Sequence, residues 1–216
     1  MNPVDRVNAL WKKQTMAARR RAYTCPDGLH DLVDSYSEAN YDTPVGIADL
    51  HPSDIVEHSA CGQSFKPDAN YKITSCKFYL RKLGSPTGNA HAALFAHAGT
   101  FGTSSVATGS ELATSSVFDI ASLGASFALV EFTFTGAQQY TMQANTPYCI
   151  TYVNPASGFV SSSNYPQMGW DVSSPTHVGN CFTYINGGWT TYNAYDVCFY
   201  VYGEPVVVGG IRAQIF

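Results

Sequence analysis

The chain has 216 residues, a formal net charge of −4, and only 13 % charged residues against 45 % hydrophobic ones. That length suffices for one all-β domain with extensions. A charge content well under the typical ~25 % argues against a soluble metabolic enzyme, and no stretch approaches the ~18 apolar residues that a membrane-spanning helix needs.

Residues 2–18 read as a helix. Asn2 can cap it, Pro3 suits its first position, and Asp5 favours its positive end. Val4, Val7, Leu10, Trp11 and Ala18 fall near one face, with Arg6, Lys13 and Arg20 opposite. A helix this short is marginal alone in water, so it is expected to dock, with Trp11 as anchor. Residues 1–24 hold six bases (Arg6, Lys12, Lys13, Arg19, Arg20, Arg21) against Asp5, or +5, which leaves −9 for the rest. A basic arm on an acidic body divides labour between two segments: the arm meets an acidic partner, or it is simply a solvated terminus. The arm lacks the ~7–15-residue apolar run of an export signal, so synthesis without export is expected. Cys25-Pro26-Asp27-Gly28 then breaks the chain.

From about residue 31 to 203 the pattern is that of strands. Alternation is clear in Cys76–Arg81, where Cys76, Phe78 and Leu80 oppose Lys77, Tyr79 and Arg81. It recurs in Phe127–Phe134, with Ala128, Val130, Phe132 and Phe134 on one side, and in Val197–Tyr202, with Val197, Phe199 and Val201 on one side. Further strands are expected at 33–40, 57–66, 90–97, 111–119, 147–153, 166–172 and 181–186. About ten short strands with turns between them predict an all-β antiparallel sandwich, jelly-roll-like. Outward aromatics such as Tyr79, Tyr200 and Tyr202 are expected to meet a neighbour or the domain's own loops. Residues 204–216 form a second extension ending in Phe216, either a strand lent to a neighbouring subunit or the last strand of its own domain. The domain reading is therefore 1–30 arm, 31–203 sandwich, 204–216 extension.

Six cysteines stand at 25, 61, 76, 149, 181 and 198, with no C-x-x-C pair. Cys76, Cys149 and Cys198 lie within apolar strands and are read as free core thiols, a late disulfide being the alternative. No Gly-x-Ser-x-Gly elbow or phosphate-binding glycine loop occurs. His51, His58 and Cys61 cluster loosely without a fourth ligand. His91 and His97 stand six residues apart, roughly 20 Å along a strand, too far to share an ion. Asp34, Glu38 and Asp42 could offer oxygens to calcium but are read as ordinary loop acids. No metal, cofactor or catalytic residue is therefore expected. The acidic body would repel phosphates, so no specific nucleic-acid partner is expected either. The binding candidates are aromatic: Tyr165 and Trp170, then Tyr184, Trp189 and Tyr192, with Asn, Gln and Asp nearby. Such rings can stack on sugars while polar groups read hydroxyls; the alternative is that Trp170 and Trp189 fill the core or a subunit contact.

Several strings carry a resemblance: Asp34-Ser35-Tyr36-Ser37-Glu38-Ala39-Asn40, Gly62-Gln63-Ser64-Phe65, Phe78-Tyr79-Leu80, Gly84-Ser85-Pro86-Thr87-Gly88-Asn89, Ser173-Ser174-Pro175-Thr176-His177-Val178-Gly179-Asn180, and Asp196–Gly203. Together they resemble a β-sandwich domain of phage virion proteins and of choice-of-anchor microbial surface proteins, similar to sugar-binding jelly rolls. The resemblance implies no catalytic residues. Surface proteins of this type usually carry a signal and a wall anchor, and none is seen in this sequence, which turns the expectation towards a virion component made in the host cytoplasm. That component would be a head-decoration or tail/fibre subunit, a homo-oligomer with a trimer as best guess. It would dock on capsid or tail proteins through Val7, Trp11, Arg19, Arg20, Arg21 and Phe216. A glycan-binding or adhesion module is the alternative.

Overall fold

A computed structural model describes residues 30–47, 58–154, 158–159 and 163–206. The expected N-terminal helix and arm, with Val7, Trp11 and Arg19–Arg21, and the tail with Phe216 lie outside the described residues.

The chain opens with β1 (Asp31–Tyr36), a 3-10 turn (Glu38–Asn40) and β2 (Thr43–Gly46). The expected strand at 33–40 stops early because the Ser37 hydroxyl accepts the Ala39 N–H and caps the turn. Then come β3 (His58–Phe65), β4 (Tyr71–Leu83), β5 (Thr87–Ala98), β6 (Val106–Thr114) and β7 (Phe118–Asp119). The second half holds β8 (Ala128–Thr133), β9 (Thr141–Met142), β10 (Tyr148–Val153), β11 (Gly158–Phe159) and β12 (Tyr165–Asp171). It closes with β13 (Cys181–Ile185), β14 (Gly188–Tyr192), β15 (Asp196–Val197) and β16 (Phe199–Pro205). Glu204 and Pro205 thus complete a strand of the domain itself.

The strands form two antiparallel sheets packed face to face. One runs β1-β16-β4-β12-β15, with β2 on β12 and with β8 and β9 on β4. The other runs β11-β5-β10-β3-β13-β14, with β6 and β7 on β5. The turn at Gly84–Asn89 joins β4 in one sheet to β5 in the other, so it bridges the sandwich rather than closing a hairpin. Between the sheets lie Phe78, Leu80, Phe132, Phe199 and Val201 from the first, and Phe65, Leu94, Ile150 and Tyr152 from the second. The alternation read in the sequence decides which side chains enter this layer.

Cys198 keeps the alternation and is buried all the same. Its neighbours Tyr200 and Tyr202 face outward. Its N–H donates to Gly169 O and its carbonyl accepts from Tyr79 N–H, at 3.0 and 3.3 Å. The chain passes there from pairing with β12 to pairing with β4, and the core takes Val197 and Phe199 on either side of Cys198 but not Cys198 itself, which is buried on the outer face. The outward Tyr79 is covered by the domain's own loops: Phe127 stacks on it at 4.9 Å and Tyr41 meets it edge-on.

The second sheet curls over its own outer face. Trp189 on β14 and Phe95 on β5 have ring centroids 5.8 Å apart. Four strand steps separate β5 from β14, about 19 Å in a flat sheet at ~4.8 Å per step. The curl encloses a second small core of Ala93, Phe95, Ala107, Cys149 and Phe182, and it brings β6 against β14. Small residues on the concave side make it sterically feasible. A Cβ on Gly62 would strike the backbone at Ile150 O and Thr151.

Candidate functional site

The five aromatic candidates do not converge on one site. Trp170 on β12 points into the main core, 4 % exposed, with Tyr192 and Tyr195 packed against it at 5.6 and 5.8 Å. Its buried indole N–H reaches no acceptor among the described residues. Tyr165 is also buried, its ring lying over Gly46. Trp189 sits on the other face of β14 from Tyr192, because three residues along a strand reverse the side chain. It packs edge-on against Phe182 and Tyr184 at 5.3 and 5.0 Å. Trp189 and Tyr184 are half-buried and adjacent, paired across β13 and β14 next to the Asn186-Gly187 turn. They are the one pair among the five with both an outer position and mutual contact.

A different constellation is far more ordered. It draws on β1, β3, β12, β15 and the loop 172–180. At its centre is His177, its side chain 6 % exposed. Gly179 N–H donates to His177 Nδ1 at 3.0 Å, and the Gln63 amide meets the same nitrogen at 3.1 Å. Gln63 cannot reverse its amide. Its Oε1 accepts Val197 N–H at 3.0 Å while its Nε2 donates to Asp196 Oδ1 at 2.7 Å. Nδ1 is therefore an acceptor twice over, and the ring proton belongs to Nε2, which faces Asp34 Oδ1 at 3.3 Å. Asp196 Oδ2 accepts His177 N–H at 2.8 Å. Burial pushes the Asp196 carboxyl up, opposed by these two donors.

Two further fastenings flank it. Tyr36 Oη donates to Asp171 Oδ2 at 2.5 Å, and Asp171 Oδ1 accepts Ser173 and Ser174 N–H. Burial, then this carboxylate bond, raises the Tyr36 phenol. On the other side, buried Asn180 exchanges bonds with Ser105 through both amide atoms and donates to Thr191 Oγ1 at 2.9 Å. Ser105 precedes β6 and Thr191 lies on β14, so Asn180 stitches together the two edges that the curl brings close. Ser64 Oγ accepts Asn180 N–H and donates to Asn180 O, which uses up the hydroxyl. Gly179 passes so close to Ser64 O that no Cβ fits there.

The polar atoms of this arrangement bond largely to one another. The Ser64 hydroxyl, both His177 nitrogens and the buried carboxylates serve internal bonds. The other acids named in the sequence are engaged too: Glu38 accepts the Tyr200 phenol at 2.5 Å, and Asp42 accepts Val172 and Ser173 N–H. His91 pairs with Glu111 while His97 bonds Ser105. His51 and the His58 side chain lie outside the described residues, and Cys61 faces the core. Among the described residues no group of three His, Cys, Asp or Glu side chains is arranged to hold a metal, and no helix is long and apolar enough to cross a membrane.

The network joins residues from four of the strings that carry the sequence resemblance: Asp34 and Tyr36, Gln63 and Ser64, His177 to Asn180, and Asp196. Sequence reasoning did not single out His177 or Gln63. One signal was present. Gln63 occupies an inward position between Cys61 and Phe65, where a polar side chain needs a buried partner. No protein-family model matches the chain, and no curated protein matches it in sequence.

Proposed function

We propose that this chain is a non-enzymatic structural protein of a bacteriophage particle, a head-decoration or tail/fibre subunit. Its sandwich tiles or projects, and its terminal segments dock on capsid or tail proteins. Self-association as a trimer fits that role. One observation supports it most. The resemblance-bearing residues meet in a buried polar network whose bonds are internal, so they serve architecture rather than turnover. Mass spectrometry of purified particles from the source tests the reading. The chain should be present, in many copies for decoration and in few for a tail or fibre; its absence overturns the reading. Removing residues 1–24 should abolish incorporation while the sandwich stays folded.

A second reading rests on Trp189 and Tyr184, adjacent and half-buried at a turn on the outer face. A glycan stacked there would make the domain an adhesion module. Retention on immobilised polysaccharide should fall for Trp189→Ala and persist for Tyr165→Phe; equal retention by both variants removes this reading.

A further inference from the structure

Arg81, on the outer face of the first sheet, is held in one orientation and pairs with no anion. Phe78 and Leu80 of β4 enter the core, so Tyr79, Arg81 and Leu83 stand on the other face. Gln167 stands opposite Arg81 on β12. The Arg81 guanidinium lies over the Phe127 ring, 4.7 Å from its centroid, and Phe127 is itself stacked on Tyr79. Arg81 Nε donates to Gln167 Oε1 at 2.7 Å. That bond fixes the sense of the Gln167 amide, because a guanidinium carries only donors and must meet the oxygen. Gln167 is 9 % exposed, so its surroundings hold the amide in place. The Arg81 Nη groups and Gln167 Nε2 thus form one cluster of donors. Among the described residues nothing accepts from them, and no carboxylate pairs with Arg81.

We propose that this donor cluster is a binding site for the carboxylate of a uronic acid residue in a saccharide. The planar guanidinium takes the carboxylate at two oxygens, and Gln167 Nε2 donates to one of them. Leu83, the next outward residue of β4 and 42 % exposed, offers an apolar surface to the sugar ring. Three observations select this ligand. A site with donors and no acceptor calls for an anion. Residues 25–216 carry −9, which penalises a dianion such as phosphate more than a single carboxylate. The backbone of β12 is paired on both sides at Gln167, with Arg81 of β4 and with Gly46 of β2, so no free edge is offered there to an extended peptide. The inference depends on neither the virion reading nor the pair Trp189 and Tyr184.

Nuclear magnetic resonance of the intact protein tests it at about pH 7, where carboxylates are ionised. The probe is methyl galacturonoside. Added in steps, it should produce saturable shifts of the Arg81 Nε–H, the Gln167 side-chain amide and the Leu83 methyl groups. Methyl galactoside, its neutral counterpart, should produce none there. Acetate, inorganic phosphate and N-acetylglutamate methylamide should each bind more weakly than the probe. Arg81→Lys keeps the charge and loses the fork, and should weaken binding about tenfold or more, the worth of one hydrogen bond to a charged group. Gln167→Glu should weaken it at least as much, since the new carboxylate occupies Arg81. The proposal is overturned by an absence of shifts at the three groups, by equal shifts from the neutral sugar, by equal or tighter binding of any of the three other anions, or by unchanged affinity in Arg81→Lys. Shifts confined to Trp189 and Tyr184 also overturn it, and they support the second reading of function instead. The wild-type titrations decide alone if a variant does not fold.

Discussion

Single side chains in this protein are governed by whether they are paired inside. Cys61, Cys76, Cys149, Cys181 and Cys198 are free thiols buried in the sandwich. Burial pushes the Cys198 thiol up to about 12 and holds Cys76, Cys149 and Cys181 well above the usual range. In the native state none of these five should react with a thiol-specific disulfide reagent, and all should react once the chain is denatured. Peptide mass mapping of the modified sites checks this. Asn180 is the clearest stabilising residue. Asn180→Ala would strip buried Ser105 N–H of its acceptor and remove the bond to Thr191. The cost should be about 2–4 kcal/mol, given ~1–3 kcal/mol for each buried group left unsatisfied. A thermal melt should show it as a fall of roughly 10 °C for a chain of this size.

Elements are shaped by close approach between neighbouring strands. Gly62 on β3 lies flat against β10, and a methyl group there meets backbone rather than a movable side chain. Gly62→Ala should therefore cost about 1–3 kcal/mol or more, the range for overpacking a filled interior, read from denaturant midpoints. Beyond the ladder between β2 and β12, a carboxylate ties the start of β2 to the end of β12. The Ser173 hydroxyl and the Val172 and Ser173 N–H groups hold the Asp42 carboxyl below its usual value. A depressed folded pKa means that this stabilisation is present above the unfolded value near ~3.9 and disappears as pH falls through the folded one. The melting temperature should drop in that acid window, and Asp42→Asn should show less of the drop. Strand existence was legible wherever alternation was strong, as in β4, β8 and β16. The short β2, β9 and β11 went unread because two to four residues carry no period, and β14 because Gly188 and its threonines mask one.

For the whole molecule the curl of the second sheet matters most. It converts the outer face of β5, β10, β3 and β13 into a second core closed by Trp189. Trp189→Ala should lower stability by about 2 kcal/mol, less than the ~3–5 kcal/mol of a fully buried tryptophan because the ring is half-buried. It should also weaken the near-ultraviolet circular dichroism of the aromatic cluster. Loss of glycan retention beyond that expected from the unfolded fraction would mark a binding role rather than a packing one.

The sequence by itself determined the all-β character and the faces of the long strands, because each follows from spacing along one segment. Tertiary structure decided what the aromatics and polar residues do. Trp170 and Trp189 look equivalent in the sequence, yet one lies between the sheets and the other caps the curl, since parity on a strand has no meaning until the sheets are assembled. His177, Gln63, Asp34 and Asp196 stand up to 162 residues apart in the chain. They become one bonded unit only when β1, β3 and β15 come together, because hydrogen bonds depend on distance in space and leave no period in the sequence.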